Sequence, residues 1–367
     1  MNDPRIRQLA EILVDYSTRV KKGDVVLINA AGLEALPLVK ELYSLCLTRG
    51  ATYVEYNFSV PEIDRYFYAT ATKQQLAHFP QHKLDFYKTV TVYIGISAGN
   101  NSMVMANAPQ HAVVSYAKVT RPLIDQRVRH TRWCVTRYPT HASAQEARMS
   151  LDEYEDYLFS ACCIDWKAES KKQEKLKKLI DRTRHVRIVA PDTDLSFSID
   201  GLPGVKCDGR LNMPDGEVFS APVKNSVQGF IRYNCPSIYQ GKEYNGVRFE
   251  FVDGRIVTAT ADGGMSASLN AILDADEGAR YIGEFAIGVN PGIRQPMRNI
   301  LFDEKITISS IHFTPGQAYD ECDNGNRSSV HWDLVRILSD GEIWFDDVLI
   351  QLNGRFIHKE LLELNPT

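Results

Sequence analysis

The sequence predicts an α/β chain in two parts: an N-terminal open α/β sheet domain, residues 1–184, followed by a mainly antiparallel β (α+β) domain, residues 185–367. Three observations predict it. At 367 residues the chain exceeds one typical core. Its first half alternates helical periodicity with short continuous apolar runs, as parallel strands covered by helices do. From His185 onward, short strands follow one another with turn dipeptides between them.

The elements follow in order. Ile6, Leu9, Ile12, Leu13 and Tyr16 recur at helical spacing. Lys22-Gly23-Asp24 turns the chain into Val25-Val26-Leu27-Ile28-Asn29-Ala30, a buried strand. A helix over 36–47 is capped by Gly50. Residues 51–58 and 90–96 are further strands, and a polar loop at 97–102 leads into a helix at 108–119. Gly32-Leu33-Glu34 and Ala98-Gly99-Asn100-Asn101 lie at strand ends but form neither a GxGxxG nor a Walker loop, so no nucleotide is expected. The basic stretch 167–184, with Leu176, Leu179 and Ile180 on one side, reads as a solvated helix connecting the two domains. In the second half 186–190, 195–199, 247–252, 256–261, 306–313, 329–334, 342–345 and 348–352 read as strands. Asp253-Gly254, Asp346-Asp347 and Asn353-Gly354 supply turns, and one helix, 266–279, interrupts the series.

Composition narrows the function. About 44% hydrophobic and 24% charged residues describe an ordinary globular chain. A net charge of −4 and a pI near 6.2 argue against nucleic acid or an anionic membrane as partner. No apolar run reaches the roughly 18 residues that a membrane span needs. The polar, helical start, residues 1–15, does not read as a signal peptide. Cys46, Cys134, Cys162, Cys163, Cys207, Cys235 and Cys322 are scattered and form no CxxC pair. Reduced thiols in a cytoplasmic protein are expected.

Four segments of the second domain place acids, histidines or a tyrosine where plain structure does not ask for them. In Ser329-Val330-His331-Trp332-Asp333-Leu334 the apolar residues alternate with an imidazole and a carboxylate. Successive strand residues point to opposite faces, so His331 and Asp333 share the face away from the core. Glu284 stands inside the apolar, Gly-flanked run Tyr281-Ile282-Gly283-Glu284-Phe285-Ala286-Ile287-Gly288. A buried carboxylate costs several kcal/mol unless it is paired or metal-bound. Glu217 opens a strand after the turn Pro214-Asp215-Gly216, and His312 lies near a strand end with Tyr319 downstream. Nitrogen and oxygen donors of this kind suit two divalent ions, zinc, cobalt or manganese. Such a pair activates water and polarises a carbonyl. A shared carboxylate, for instance Asp333, could bridge the ions. Glu217 and Tyr319 are the candidate catalytic residues: a carboxylate free of the ions moves the proton, either Glu217 or Glu284 being the general base and the other a ligand, and Tyr319 donates a hydrogen bond to the tetrahedral oxyanion. The same donors also suit a different metallohydrolase, such as an amidase, or closed structural ions in a peptide-binding protein.

The blocks Glu217-Val218-Phe219-Ser220-Ala221-Pro222, Gly283-Glu284-Phe285-Ala286, Ile311-His312-Phe313 with Tyr319, and 326–333 (Asn-Arg-Ser-Ser-Val-His-Trp-Asp) resemble the leucyl aminopeptidase family of aminopeptidase T, aminopeptidase S and PepS, also called the thermophilic metalloprotease family. Asp276-Glu277-Gly278-Ala279-Arg280 and the segment 143–155 are similar to the same family, so the resemblance covers nearly the whole chain. It implies a cytoplasmic exopeptidase that removes N-terminal residues from short peptides with two divalent ions. It implies metal contacts at Glu217, Glu284, His312, His331 and Asp333, Tyr319 beside the ions, and a homodimer whose site opens into an internal cavity. The 18 residues between His312 and His331 are fewer than in the long members, which places the chain in a shorter branch.

Overall fold

The computed structural model describes residues 3–307 and 310–366. The chain separates into two compact units: 1–163 with 209–214, and 164–208 with 215–367. The helix Trp166–Arg182, read from sequence as a connection, belongs to the second of them. Its apolar side, Leu176, Leu179 and Ile180, is buried in that unit's core, and Asp165 caps its first turn.

The first unit holds a five-stranded parallel sheet in the order Tyr53–Ser59, Val25–Ala31, Val92–Ser97, Arg132–Arg137, Asn212–Met213. Val26, Ile28, Val92 and Ile94 are fully buried, as expected for a parallel sheet. The helix expected at 108–119 runs from Gln110 to His130. Arg127, Arg129 and His130 in its last turn suit the negative end of the helix dipole.

The second unit contains two large antiparallel sheets and a two-stranded one, Ser237–Tyr239 with Lys242–Tyr244. The larger runs Arg255–Thr260, Arg248–Val252, Gln228–Arg232, Thr193–Ser198, His185–Ala190, Glu342–Phe345, Val348–Leu352, Arg355–Phe356. Asp253-Gly254, Asp346-Asp347 and Asn353-Gly354 all have positive φ at both positions, as two-residue hairpin turns require. The smaller sheet runs Leu334–Ile337, Ser310–Pro315, Ile282–Gly288, Glu217–Ser220, Val205–Cys207. The two sheets share a core. Phe197 of the larger meets Phe285 and Phe313 of the smaller with ring centroids 4.9 and 5.4 Å apart. Val218, Ile287, Ile311 and Leu334 lie in the same core.

Two expected elements end differently. Residues 329–333 do not form a regular strand: they pair only at His331, through a bridge to Gly316, and the ladder proper starts at Leu334. The Ser329 amide is taken by the Asp276 carboxylate and is lost to the sheet. The helix expected at 266–279 stops at Leu273, because Asp276 adopts an extended conformation and caps a 3-10 turn over Glu277–Arg280. Ile308 and Ser309, inside the expected strand 306–313, lie outside the described residues.

Candidate metal centre

Strand register brings the candidate residues together. Glu217 pairs with Gly288, Ala286 with His312, Glu284 with Thr314, and His312 with Val335. Paired residues point to the same face, and so do residues two apart on one strand. Glu217, Glu284, His312, Thr314 and Asp333 therefore share one face of the smaller sheet, and Phe285, Phe313, Val218 and Leu334 fill the core behind it. His331, bridged to Gly316, falls on the same face as Asp333.

The donors sit at spacings of their own. His312 Nδ1 is 3.6 Å from Glu217 Oε2, and His312 Nε2 is 3.6 Å from Glu284 Oε1. His331 Nε2 is 3.7 Å from both Glu284 Oε2 and Asp333 Oδ1. These gaps are too long for hydrogen bonds. Two nitrogen or oxygen ligands about 2.1 Å from one tetrahedral ion stand about 3.4 Å apart, close to what is seen. Glu217 Oε2, His312 Nδ1 and His331 Nε2 are buried without a hydrogen-bond partner among the described residues. Orphaned lone pairs aimed at one another fit a shared cation. Glu284 reaches both imidazoles with separate oxygens, so it, rather than Asp333, lies between the two halves of the cluster.

Neighbouring residues hold the donors in place. His331 Nδ1 lies 2.9 Å from the Gln317 carbonyl oxygen, which makes Nδ1 the donor and leaves Nε2 its lone pair. Thr314 Oγ1 donates to Asp333 Oδ1 at 2.5 Å and reaches Glu284 Oε2 at 3.4 Å. Asp276 accepts from Ser328 Oγ, the Ser329 amide and Ser329 Oγ, each at 2.7 Å, and so fixes the segment that delivers His331. Gly316, at φ +110°, lets that segment pass: a Cβ there would lie 2.0 Å from the Val330 oxygen. Tyr319 meets His331 edge-on with ring centroids 4.8 Å apart and lies tilted against Phe219 at 5.5 Å.

The electrostatics show an excess of negative charge. Burial pushes the Glu217 carboxyl well up, although Lys305 pulls against it. Burial disfavours a charged His312, but Glu284 and Glu217 outweigh it and lift the imidazole to about 10. Asp333 stays low despite burial because His312 and His331 face it. Although 44% of Tyr319 is exposed, crowding around its hydroxyl and the carboxylates of Glu284 and Asp333 raise the phenol, which therefore keeps its proton.

Two residues of the site escaped the sequence reading. Glu304 joins Glu217 and His312 in a trio whose donor atoms lie within 4.8 Å of one another, as do those of Glu284, His331 and Asp333. Lys305, with no exposed surface, contacts Glu304 and stands 3.8 Å from Glu217 Oε1. Asp303-Glu304-Lys305 is a run of charged residues that matches no motif. The available signal was its setting between the apolar Ile300-Leu301-Phe302 and Ile306. Gly288 makes room for it, since a Cβ there would lie 2.7 Å from the Lys305 carbonyl carbon and 2.8 Å from the Glu304 oxygen.

Residues 2–343 match the family model described as thermophilic metalloprotease (M29). The chain is 26% identical to aminopeptidase T of Thermus thermophilus, over 86% of this chain and 85% of that one. It is 24% identical to aminopeptidase PepS of Streptococcus thermophilus (90% and 91%) and 22% identical to aminopeptidase 2 of Geobacillus stearothermophilus (86% and 84%). Among solved structures, wild-type AmpT from Thermus thermophilus matches with a TM-score of 0.82 at 24% identity, over 96% of this chain and 99% of that one. A 2,5-dihydroxypyridine dioxygenase from Pseudomonas putida KT2440 matches with 0.62 at 12% identity, over 97% and 98%. Both structural likenesses concern the fold.

Proposed function

The chain belongs to the thermophilic metalloprotease family, M29, and on that premise we propose that it is a metal-dependent aminopeptidase releasing N-terminal amino acids from short peptides. One observation carries the reading: buried imidazole and carboxylate donors face one another at 3.6–3.7 Å without hydrogen bonding. Relatives over most of the chain are named aminopeptidases, which supports the same activity.

Two divalent ions, zinc, cobalt or manganese, would be held by Glu284, His331 and Asp333 on one side and by Glu217, Glu304 and His312 on the other. When bound, they supply an acidified water and a polarised carbonyl. The residues of the chain do the rest. Glu217 is the carboxylate that accepts a proton from the attacking water and returns it to the leaving amine. Tyr319, protonated at neutral pH, donates a hydrogen bond to the tetrahedral oxyanion. Glu284 keeps the two halves in register through its separate contacts to His312 and His331.

The thiols of Cys46, Cys163, Cys207, Cys235 and Cys322 are free, which supports a reducing, cytoplasmic setting. No helix among the described residues is long and apolar enough to cross a membrane. The homodimer rests on the family resemblance.

Leucine p-nitroanilide and Leu-Gly peptides test the activity. The expected result is release of N-terminal leucine that chelator abolishes and added zinc, cobalt or manganese restores. Absence of any chelator-sensitive release contradicts the proposal. Much faster turnover of a non-peptide amide would reassign the site to an amidase.

A further inference from the structure

We propose that Lys305 is a built-in cation that sets the two ion positions apart, weakening binding at the Glu217–Glu304–His312 position relative to the Glu284–His331–Asp333 position. The inference rests on the metal-dependent reading above and adds a residue to it.

The two trios are built differently. Glu217 divides its oxygens: Oε1 faces the Lys305 ammonium at 3.8 Å, and Oε2 faces His312 Nδ1 at 3.6 Å. Glu304 Oε1 is in direct contact with the same ammonium. Two of the three donors on this side are therefore already shared with a positive charge. That charge cannot retreat into solvent, because Lys305 has no exposed surface. The backbone leaves it little freedom: the Lys305 amide donates to the Phe302 carbonyl, and its carbonyl accepts from the Asn290 amide. Gly288 presses against the Glu304–Lys305 backbone from the sheet side.

The other trio has no ammonium in ion-pair contact with its donors among the described residues. Among the described residues, the ion-pair partners of Glu284 and Asp333 are imidazoles. Neutral groups orient them, namely the Thr314 hydroxyl and the Gln317 carbonyl behind His331. A dication entering there meets no ammonium on either carboxylate, and Glu284 turns only one of its oxygens, Oε1, towards His312 of the other trio. A dication at the Glu217 side must share oxygens with an ammonium and stand beside it, and in a buried site that repulsion is poorly screened. The structure thus assigns a tight position and a weaker, exchangeable one.

Zinc titration of metal-stripped protein tests this, using calorimetry and elemental analysis after equilibrium dialysis on wild type, Lys305→Met and Lys305→Gln. Wild type is expected to show two classes of site separated by about tenfold or more, as changes around metal ligands do. Either substitution should tighten the weaker class by about tenfold or more and leave the stronger one within about twofold, with an unchanged circular dichroism spectrum. Two equal classes in wild type, or an unchanged weaker class in the folded variants, overturn the proposal. Should neither variant fold, wild-type crystals soaked at graded zinc decide it by anomalous scattering. The peak beside His331 and Asp333 must fill first, and the opposite order overturns it. Failure of wild type to take up zinc at either position overturns the metal reading itself, a different outcome from two equal sites.

Discussion

His331 Nδ1 lies 2.9 Å from the carbonyl oxygen of Gln317. That contact fixes the imidazole as the tautomer whose Nε2 lone pair faces Glu284 and Asp333. His331→Ala removes the donor, and His331→Gln misplaces it. Each is expected to cut turnover by about a hundredfold or more and to lower bound metal at the Glu284 side, read by elemental analysis.

Thr314 holds Asp333 by a 2.5 Å hydrogen bond and reaches Glu284 at 3.4 Å. Thr314→Val keeps the shape and removes the hydroxyl. It should weaken zinc binding or activity by about 10–100-fold. Thr314→Ser should restore most of the loss, which separates the hydrogen bond from packing. Equal affinities in all three proteins would contradict the assigned role.

How much of this was legible in the sequence varies with the kind of signal. The alternation of Val330, Trp332 and Leu334 with His331 and Asp333 gave the correct faces, because strand period does not depend on tertiary context. Turn positions were legible for the same reason: Asp253-Gly254 and Asn353-Gly354 adopt positive φ, as their residue types favour. The strand Arg132–Arg137 was hidden, since arginines at both ends mask a short apolar interior. Glu304 and Lys305 were hidden too. Their burial depends on Gly288, on a different strand, and no local pattern announces that closeness. The role of Glu284 between two imidazoles follows from register across three strands, which spacing along the chain does not encode.

Asp276 ties down the segment that delivers His331. Burial pushes its carboxyl up, but hydrogen bonds from Ser329, Ser328 and Ala279 outweigh that and hold it at about 2. A carboxyl lowered on folding contributes stability above its unfolded value near 3.9, and loses it as pH falls through the folded value. Asp276→Asn is expected to cost about 1–3 kcal/mol at pH 6. Denaturant unfolding at several pH values should show the gap to wild type shrinking between about pH 4 and pH 2. A gap that stays constant over that range would show that the charge is not what holds the loop.

Gly288 leaves the space that the Glu304–Lys305 backbone crosses. Gly288→Ala places a methyl 2.2 Å from Ser310 Oγ and 2.7 Å from the Lys305 carbonyl carbon. The overpacking should cost about 1–3 kcal/mol in urea unfolding. It should also weaken the ion position that Glu304 serves more than the one that His331 serves. Unchanged stability would mean that the segment can move aside freely.

In the proposed function, carboxylates and imidazoles from separate strands grip divalent ions on one face of a sheet. A zinc-loaded crystal measured at the zinc absorption edge tests it most directly. Anomalous peaks are expected within ligand distance of Glu284, His331 and Asp333, and of Glu217, Glu304 and His312, each lost on chelation. Anomalous density elsewhere in the molecule, with this face holding none at saturating zinc, would contradict it.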